Sequence, residues 1–402
     1  MLEKSEINGY QFPAIEDMSN QIITVIGVGG GGSNAVGHMF RENVENVTFI
    51  VCNTDSQALA KSEVPLRLQL GEEGLGVGGD PIKGKEAAES TIEGIRKIIP
   101  STTQMVFVTA GMGGGTGTGA APIIARVARE MGLLTVGVVT LPFIFEKRKR
   151  ICQALIGLEE MKKNVDSLLV INNQKLAEIY SNNQISIKAA FAKTDDVLTT
   201  ATRTIAEIIT MDGTINRDFR DVRAVMKESG QAVVSVGTAK GEGRIMKAMT
   251  EALTSPLLNN VDTSRIKRML YIIYSGDKHP VMVHETEELN SFMEQFDDNI
   301  EVLWGLYDDN SLDEEVKVAV IATGADQTSE AQANSTEEDI VSHGISNYYK
   351  GTSIDTAPSA PVSPTPSPDV TDVEDDESDE TEAEPTWFNK IVGHLKAIIE
   401  EE

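Results

Sequence analysis

Two glycine-rich segments contain the residues whose types and spacing could do chemistry. Residues 27–34 (GVGGGGSN) and residues 111–119 (GMGGGTGTG) each follow an apolar run and precede a helical pattern. Glycine allows the backbone to come close to a phosphate, and the N-terminus of the next helix adds free amides and the positive end of its dipole. Thr116 and Thr118 add two hydroxyl donors. The pattern therefore predicts a phosphate-binding site.

The first segment alone leaves two classes of protein open. Gly27, Gly29 and Gly32 fit the dinucleotide-binding fingerprint, and Asp55 lies near the end of the next apolar run, where a ribose-binding acid belongs. This pattern is typical of an oxidoreductase that uses a nicotinamide dinucleotide. The second segment favours another class, because a dinucleotide fold needs only one such turn and two could wrap a triphosphate. Two tight turns without any ligand are the remaining alternative.

Composition and missing motifs exclude several further classes. The chain has 402 residues and a formal net charge of −27, which argues against broad contact with nucleic acid. It has no GxxxxGK[ST] motif of a P-loop NTPase, no apolar run long enough to cross a bilayer and no apolar signal sequence. Its two cysteines have neither metal-binding nor disulfide spacing. We therefore expect a cytoplasmic protein without direct membrane insertion.

The apolar runs before the glycine-rich segments belong to a repeating α/β pattern. Five such runs are rich in β-branched residues and alternate with helical patterns, at residues 22–26, 47–52, 105–108, 134–140 and 167–171. Runs without polar alternation suit strands buried on both faces of a parallel sheet. Residues 21–186 are therefore predicted to form a doubly wound α/β domain, in which ligands bind at the carboxyl ends of the strands.

A long helix and a smaller α/β domain are predicted to follow, after a polar N-terminal extension at residues 1–20. Residues 187–212 carry an apolar stripe at helical spacing and would form a spine between the two domains. Residues 213–325 are predicted to form the second domain on a mainly four-stranded sheet, with apolar runs at 232–236, 269–274, 301–306 and 316–321.

The C-terminal part has a different composition. Residues 326–384 contain sixteen Asp and Glu against one Lys, with a stretch rich in Pro, Ser and Thr, which predicts a disordered acidic linker. A short amphipathic segment on such a tether predicts a docking peptide within residues 385–402. A frayed terminal helix without a partner is the alternative. The apolar side chains at helical spacing are Trp387, Ile391, Leu395 and Ile398, within residues 387–399.

The string GGGTGTG at residues 113–119 resembles the signature loop of the tubulin/FtsZ family. The resemblance covers nearly all of residues 21–324, including IGVGGGG at 26–32, NTD at 53–55 and DDVL at 195–198. It is closer to FtsZ than to eukaryotic tubulin. The resemblance implies a tubulin-like fold that binds and hydrolyses GTP, polymerises head-to-tail into protofilaments and forms the ring at the mid-cell division site of bacteria.

The resemblance also implies roles for individual residues. Glu146 and Arg150 match ribose and base-edge contacts, Phe191 matches a residue that stacks on guanine, and Asp195 matches one that reads the guanine edge. Locally, Phe191 could instead pack in the core and Asp195 could lie on a solvated helix face, although their i, i+4 spacing puts them on one face. The residues implied to lie along the phosphates are Gly30, Gly31, Gly32, Ser33, Asn34, Gly114, Gly115, Thr116, Gly117 and Thr118.

Asn216, Asp218 and Asp221 resemble the catalytic loop of the family. The resemblance implies that this loop reaches the nucleotide of the neighbouring subunit, so that the GTPase site would be completed between subunits. Asp218 and Asp221 would position and polarise the attacking water there, while Mg²⁺ offsets charge on the phosphates. The local alternative is that Asn216 or Asp218 only caps the next helix. A nucleotide-gated scaffold without turnover would then be the function.

Three features depart from the family pattern. Lys147 stands where relatives usually have glycine, and it begins a basic cluster up to Arg150 that could hold phosphate or simply start a solvated helix. Ser33 replaces a common glycine. The tail lacks the usual short motif with Pro and Arg, although the family implies a membrane-tethering division protein as its partner.

Overall fold

A β-sheet built from buried apolar strands organises the fold. The computed structural model describes residues 6–7, 10–11, 21–180, 186–210, 213–215, 217–254, 266–294, 296–297, 299–324, 336–350, 352 and 354. A short antiparallel pair, β1 (Glu6–Ile7) and β2 (Tyr10–Gln11), is separate from the main sheet. The parallel strands of the first half are β3 (Ile23–Val28), β4 (Val47–Asn53), β5 (Leu66–Gln69), β6 (Met105–Gly111), β7 (Leu134–Leu141) and β8 (Ser167–Asn172).

The five predicted apolar runs are confirmed as strands, and β5 is an addition. β3 and β4 are buried at every position, which agrees with the lack of polar alternation in their sequences. Helices follow these strands and cover the sheet: α1 (Gly29–Arg41), α2 (Ser56–Ala60), α3 (Pro81–Ser90), α4 (Ile92–Ile98), α5 (Gly115–Glu130), α6 (Arg148–Asn164) and α7 (Asn173–Tyr180).

The second half starts with the predicted long helix, α8 (Ile187–Thr210). The four apolar runs predicted in the second half are also strands. No helix in the described part of the chain is long and apolar enough to cross a bilayer. The elements after α8 are β9 (Gly213–Ile215), α9 (Phe219–Met226), β10 (Gly230–Ala239), α10 (Arg244–Thr254), β11 (Arg268–Ser275), α11 (Thr286–Met293), β12 (Glu301–Asp308), β13 (Val316–Thr323) and α12 (Glu337–Tyr348).

The two halves of the chain share one β-sheet, and residues of both halves pack in one hydrophobic core cluster. Among the described residues, the strand order is β5-β4-β3-β6-β7-β8-β10-β13-β11-β12-β9. The halves join where β10 pairs in parallel with Ser167 and Leu168 of β8. Leu198 and Ile205 of α8 belong to the same buried cluster as first-half residues and Leu270 of β11. Helix α8 is therefore a spine between the halves, as its apolar stripe predicts; the exact domain boundaries at residues 186 and 213 stay predictions.

The expectation of a disordered linker from residue 326 is wrong for residues 336–350. Helix α12 begins at a capping box in which Thr336 and Asp339 bond to each other's backbone amides. Ile345, Tyr348 and Tyr349 are buried in the core cluster that also contains Leu155 of α6. The charge and proline content of the whole stretch hid these apolar residues, which supply enough buried surface to order a short helix.

Candidate nucleotide-binding site

Two helix N-termini meet at the carboxyl edge of the sheet. β3 and β6 are adjacent and parallel, in a register that sets Gly27 beside Thr109. Helix α1 begins directly after β3, and α5 begins four residues after β6 ends. Gly29 and Gly113 take φ values of 68° and 93°, which side chains rarely adopt. These two glycines let the chain turn from strand to helix, so that free helix amides collect at one place.

Most of the two glycine-rich segments is helical. The sequence predicted that α5 begins near residue 120, but it begins at Gly115. Close packing against the sheet explains much of the glycine content, since a Cβ on Gly32 would lie 2.2 Å from the Thr109 carbonyl oxygen. A Cβ on Gly117 would lie 2.5 Å from the carbonyl oxygen of Gly111. Backbone packing, as well as any ligand, therefore requires glycine at these positions.

Gly30 and Gly114 differ from these packing glycines. A Cβ on either residue would have no atom of the described structure within 4 Å. Both residues line the same cavity. Gly114 has φ −95° and ψ 174°, so its conformation does not require glycine. The bare backbone at these two positions is therefore left for whatever fills the cavity.

The cavity has a volume of about 330 Å³ and lies between the starts of α1 and α5 and helix α8. This volume is in the range of small-molecule sites. Gly32, Ser33 and Thr118, three of the residues predicted along the phosphates, do not line it. The predicted site residues that do line it are Gly30, Gly31, Asn34, Gly114, Gly115, Thr116, Gly117, Glu146, Arg150, Phe191 and Asp195.

The hydroxyls near the cavity fall into two groups. Thr118 accepts a hydrogen bond from the Gly113 amide at 2.8 Å and is buried, so it fixes the turn before α5. Thr116 lines the cavity and shares a 2.7 Å hydrogen bond with Thr54. The buried hydroxyls of Ser33 and Thr109 have no partner among the described residues, and Thr109 also lines the cavity. An orphaned buried hydroxyl is costly, which fits a polar ligand at the Thr109 position.

Phe191 is the aromatic residue among the described residues that line the cavity. The ring of Phe191 is edge-on to Phe143 at a centroid distance of 5.1 Å, and Phe143 stacks on Phe145 at 5.0 Å. Phe191 is 43% exposed and lines the cavity, so core packing does not account for it. An exposed aromatic face at a cavity wall can stack on a planar base.

Asp195 lies one helical turn after Phe191 and also lines the cavity. Burial raises the pKa of its carboxyl to about 6, and neighbouring Asp196 adds to the rise, while His38 and Arg41 oppose it. His38 bonds to Asp196 at 3.0 Å and ties α1 to α8 beside this carboxyl. A half-buried carboxylate next to an aromatic face is suited to accept hydrogen bonds from the edge of a base.

A short turn between β7 and α6 brings Glu146 and Arg150 to the cavity. The Glu146 carboxylate accepts from the Phe143 amide at 2.9 Å and pairs with Arg150 at 3.1 Å. Lys147 follows with φ 74° and ψ 158°, a conformation that glycine adopts at little cost. A glycine at this position, which the family resemblance implies, would therefore have a backbone reason.

The predicted catalytic acids lie apart from the cavity. Asp218 accepts from the amides of Arg220 at 2.8 Å and Asp221 at 3.0 Å, and Asp221 accepts from the Asp218 amide at 3.3 Å. The two acids thus form the capping box of α9, as the local alternative predicted. Neither lines the cavity. Asn216 lies outside the described residues.

Sequence reasoning missed four polar residues of the cavity wall. Thr109, Asn173, Thr140 and Thr194 line it, and the Thr194 hydroxyl donates to the Asn173 side chain at 3.0 Å. The ends of β6 and β8 could have pointed to the first two, since ligands collect at the carboxyl ends of parallel strands. In contrast, Asp55 caps α2 by accepting from Gln57 and Ala58 amides, which removes the ribose-binding role considered for it.

The fold and this cavity define a nucleotide-binding α/β protein. A family model described as "Tubulin/FtsZ family, GTPase domain" matches residues 22–181, and one described as "FtsZ family, C-terminal domain" matches residues 230–326. The chain belongs to the tubulin/FtsZ family. Neither match supports the oxidoreductase alternative.

Relatives and solved structures agree with this assignment. The chain is 50% identical over 309 residues to "Cell division protein FtsZ" of Porphyromonas gingivalis, which covers 76% of this chain and 67% of that protein. It is 44% identical over 317 residues to the protein of the same name from Wigglesworthia glossinidia brevipalpis, with 78% and 82% covered. A solved structure described as an empty FtsZ dimer from M. jannaschii is 38% identical, with a TM-score of 0.67 over 75% of this chain and 88% of that one.

Proposed function

We propose that the chain binds GTP in the cavity and hydrolyses it only when a second copy of the chain completes the site. The guanine would stack on Phe191 and bond to Asp195, while Glu146 and Arg150 face the ribose. The phosphates would lie along the amides and hydroxyls of α1 and α5. Gly30, Gly31 and Asn34 would act from the first segment, and Gly114, Gly115, Thr116 and Gly117 from the second. Gly32, Ser33 and Thr118, which the sequence also predicted along the phosphates, do not line the cavity.

One observation carries this proposal. The parts of α1 and α5 that line the cavity contribute only glycines, Asn34 and Thr116, whereas the carboxylates among the described lining residues, Glu146 and Asp195, belong to other elements. These helix starts can bind an anion well but contain no acid to position water. The candidate acids Asp218 and Asp221 stand on another element, at an exposed helix start. Head-to-tail contact between copies would bring the second set of groups to the first, and the solved FtsZ dimer from M. jannaschii supports association between copies.

A Mg²⁺ ion would accompany the triphosphate. Among the described residues, no group of three or more His, Cys, Asp or Glu could hold a metal by itself. Mg²⁺ in nucleotide enzymes commonly keeps several waters and binds phosphate oxygens with few protein ligands. The hydroxyls of Thr109 and Thr116 are oxygen donors at the cavity and fit that role. The ion would offset phosphate charge during hydrolysis.

Assembly at the mid-cell division ring and docking by the tail extend the proposal. The named relatives are cell division proteins, which supports a ring at the bacterial division site. Residues 387–399 lie outside the described residues. By composition they would dock on a membrane-tethering division protein in the cytoplasm, and deleting residues 385–402 should abolish that recruitment while leaving GTP turnover near normal.

The test is GTP turnover per subunit across protein concentrations. We expect the specific activity to rise with concentration and then to reach a plateau, because each site needs a neighbour. Phosphate release with sedimentation of the same samples measures both turnover and assembly. A specific activity that stays constant down to dilutions without any oligomer would contradict a shared site. A scaffold that binds GTP without turnover would show assembly but no phosphate release; the capping roles of Asp218 and Asp221 are what favour this second candidate.

A further inference from the structure

A C-terminal segment returns from the second half of the chain to pack beside the nucleotide cavity. We call residues 336–350 the brace. Its helix α12 packs on α6 so closely that a Cβ on Gly344 would lie 2.7 Å from the Leu155 side chain. Tyr349, which follows the helix, is fully buried. The brace is therefore part of the first-half core, although it follows β13 of the second half in sequence.

The brace holds the loop that carries the ribose-facing residues. The Tyr349 hydroxyl donates a 2.7 Å hydrogen bond to the carbonyl oxygen of Pro142. Pro142 lines the cavity and begins the turn that leads to Glu146. Burial and the nearby Glu146 carboxylate raise the pKa of the Tyr349 hydroxyl, so it stays protonated and remains a donor. Beyond the brace, Arg148 donates to the Ile354 carbonyl at 3.4 Å, a second tie on the same loop.

The brace also touches the strand end on the other side of the loop. The Asn172 side chain donates to the Tyr348 carbonyl oxygen. Its neighbour Asn173 lines the cavity and receives the hydrogen bond from Thr194 of α8. Two consecutive brace residues thus bond to the two segments, β7-to-α6 and β8-to-α7, that form one wall of the cavity.

We propose that Tyr349 is a positioning residue for nucleotide binding, which acts by fixing the Pro142 carbonyl and, through it, the loop that presents Glu146 and Arg150. The proposal rests on the proposed function, because it assumes that this wall faces the nucleoside. It follows that occupancy of the cavity and order of the brace are coupled: whatever binds this wall stabilises α12, and whatever loosens α12 weakens binding.

The first test compares Tyr349→Phe with the parent in calorimetric titrations with GDP, which avoids turnover. The substitution keeps the buried ring and removes only the donor to Pro142. We expect GDP to bind about three- to tenfold more weakly, the effect of one lost intramolecular hydrogen bond. The matched control is Ile273→Val, which trims a side chain that is 1% exposed in β11. It should lower thermal stability to a similar extent and leave GDP affinity within twofold of the parent.

The outcomes separate the two proposals. A parent that does not bind GDP overturns the proposed function. A parent and a Tyr349→Phe variant that bind GDP equally overturn the positioning role alone. Equal weakening by Tyr349→Phe and Ile273→Val would also overturn it, because affinity would then follow general stability.

The second test uses the unsubstituted chain and does not depend on how the variant folds. We expect GDP to slow hydrogen exchange at the amides of α12, while exchange in α11 of the second half stays constant. Unchanged exchange in α12 at saturating GDP would show that the brace does not sense the cavity, and would overturn the coupling.

Discussion

The starts of α1 and α5 at the cavity and the start of α9 carry different kinds of chemical groups. At the starts of α1 and α5, the cavity presents bare backbone at Gly30 and Gly114, where a Cβ would have no atom of the described residues within 4 Å. The start of α9 presents two carboxylates, Asp218 and Asp221, both engaged with backbone amides. The residues of α1 and α5 at the cavity can hold an anion but include no acid, because the lining carboxylates Glu146 and Asp195 belong to other elements. Asp218 and Asp221 are acids but do not line the cavity. Under the proposed function, we therefore expect that substitutions can alter binding and hydrolysis separately in this chain.

The largest expected effect is on turnover. Asp221→Ala should bind GTP nearly as well as the parent but hydrolyse it about 10²–10⁴ times more slowly, the range for loss of a positioned proton-handling group. Asp221→Asn is the matched variant, since its amide oxygen can still accept from the Asp218 amide and keep the cap. Both should be measured for phosphate release at saturating GTP and for thermal stability.

The cap-only alternative gives the opposite pattern. Asp221→Ala would then lose about 0.5–2 kcal/mol of stability, with turnover falling only as folded protein is lost, and Asp221→Asn would stay active. Mixing adds a second check. If Asp221 acts on a neighbour's nucleotide, Asp221→Ala mixed with the parent should slow turnover beyond dilution; activity linear in the parent fraction, with co-sedimentation confirmed, would contradict catalysis between subunits.

The next effect is on binding. Gly30→Ala and Gly114→Ala should each weaken GDP binding by about tenfold, or ~1.4 kcal/mol, because the added methyl group projects into the cavity and not into protein. Gly37→Ala is the control on the same helix as Gly30: its Cβ would make an ordinary 3.6 Å contact with Arg41. Titration of GDP measures the effect, and unchanged affinity in both cavity variants would move the phosphates elsewhere.

Gly113 is a poorer probe of the phosphate site than its sequence suggests. A Cβ there would lie 2.8 Å from the Arg150 carbonyl oxygen, on a backbone with φ 93°. Gly113→Ser would therefore strain the turn whether or not a phosphate is present, and a loss of binding would not identify its cause.

The third effect is a pH dependence at the base end. The Asp195 carboxyl has a pKa of about 6, raised chiefly by burial. Guanine offers donors, so binding needs the ionised carboxylate, and GDP affinity should fall as the pH drops below about 6. Phosphate groups titrate in the same range, so Asp195→Asn is the control. The parent's affinity should fall more steeply than the variant's between pH 7 and 5; parallel curves would contradict base recognition by Asp195.

The raised pKa of Asp195 affects the stability of the nucleotide-free protein in the opposite direction: it favours the folded state at low pH. A carboxyl whose pKa is raised on folding binds its proton more tightly in the folded state than in the unfolded state. Its contribution to stability is therefore fully present below the ordinary pKa and is lost as the pH rises through about 6. Asp195→Asn should flatten this part of the profile, as measured by urea unfolding of the nucleotide-free protein from pH 4 to 7.

The smallest expected effect concerns the loop that the brace holds. Lys147→Gly should stabilise the protein by about 1 kcal/mol, because Lys147 has φ 74° and ψ 158°. Lys149→Gly is the control: it is exposed inside α6, where glycine costs about 0.5–1 kcal/mol. Urea unfolding of both variants measures the difference, and destabilisation by Lys147→Gly would mean that the lysine side chain has a role of its own.

The sequence predicted the sheet well because its strands are unbroken apolar runs, and it predicted the cavity because glycine-rich turns follow two of them. It predicted α5 to start too late, since a helical start made of glycines has no periodic pattern to detect. The close fit of Gly32 under the Thr109 carbonyl and the free space at Gly30 depend on tertiary packing, which the local sequence does not show. The sequence did not predict the brace for a similar reason: Tyr348 and Tyr349 become core residues only when they pack against α6.

One edge of the sheet carries a consequence for contacts between copies of the chain. Among the described residues, this edge is β5, which has four residues. A short edge strand offers few free backbone groups, so it is a poor template for strand addition by another copy. Association of copies by strand pairing at β5 is therefore disfavoured.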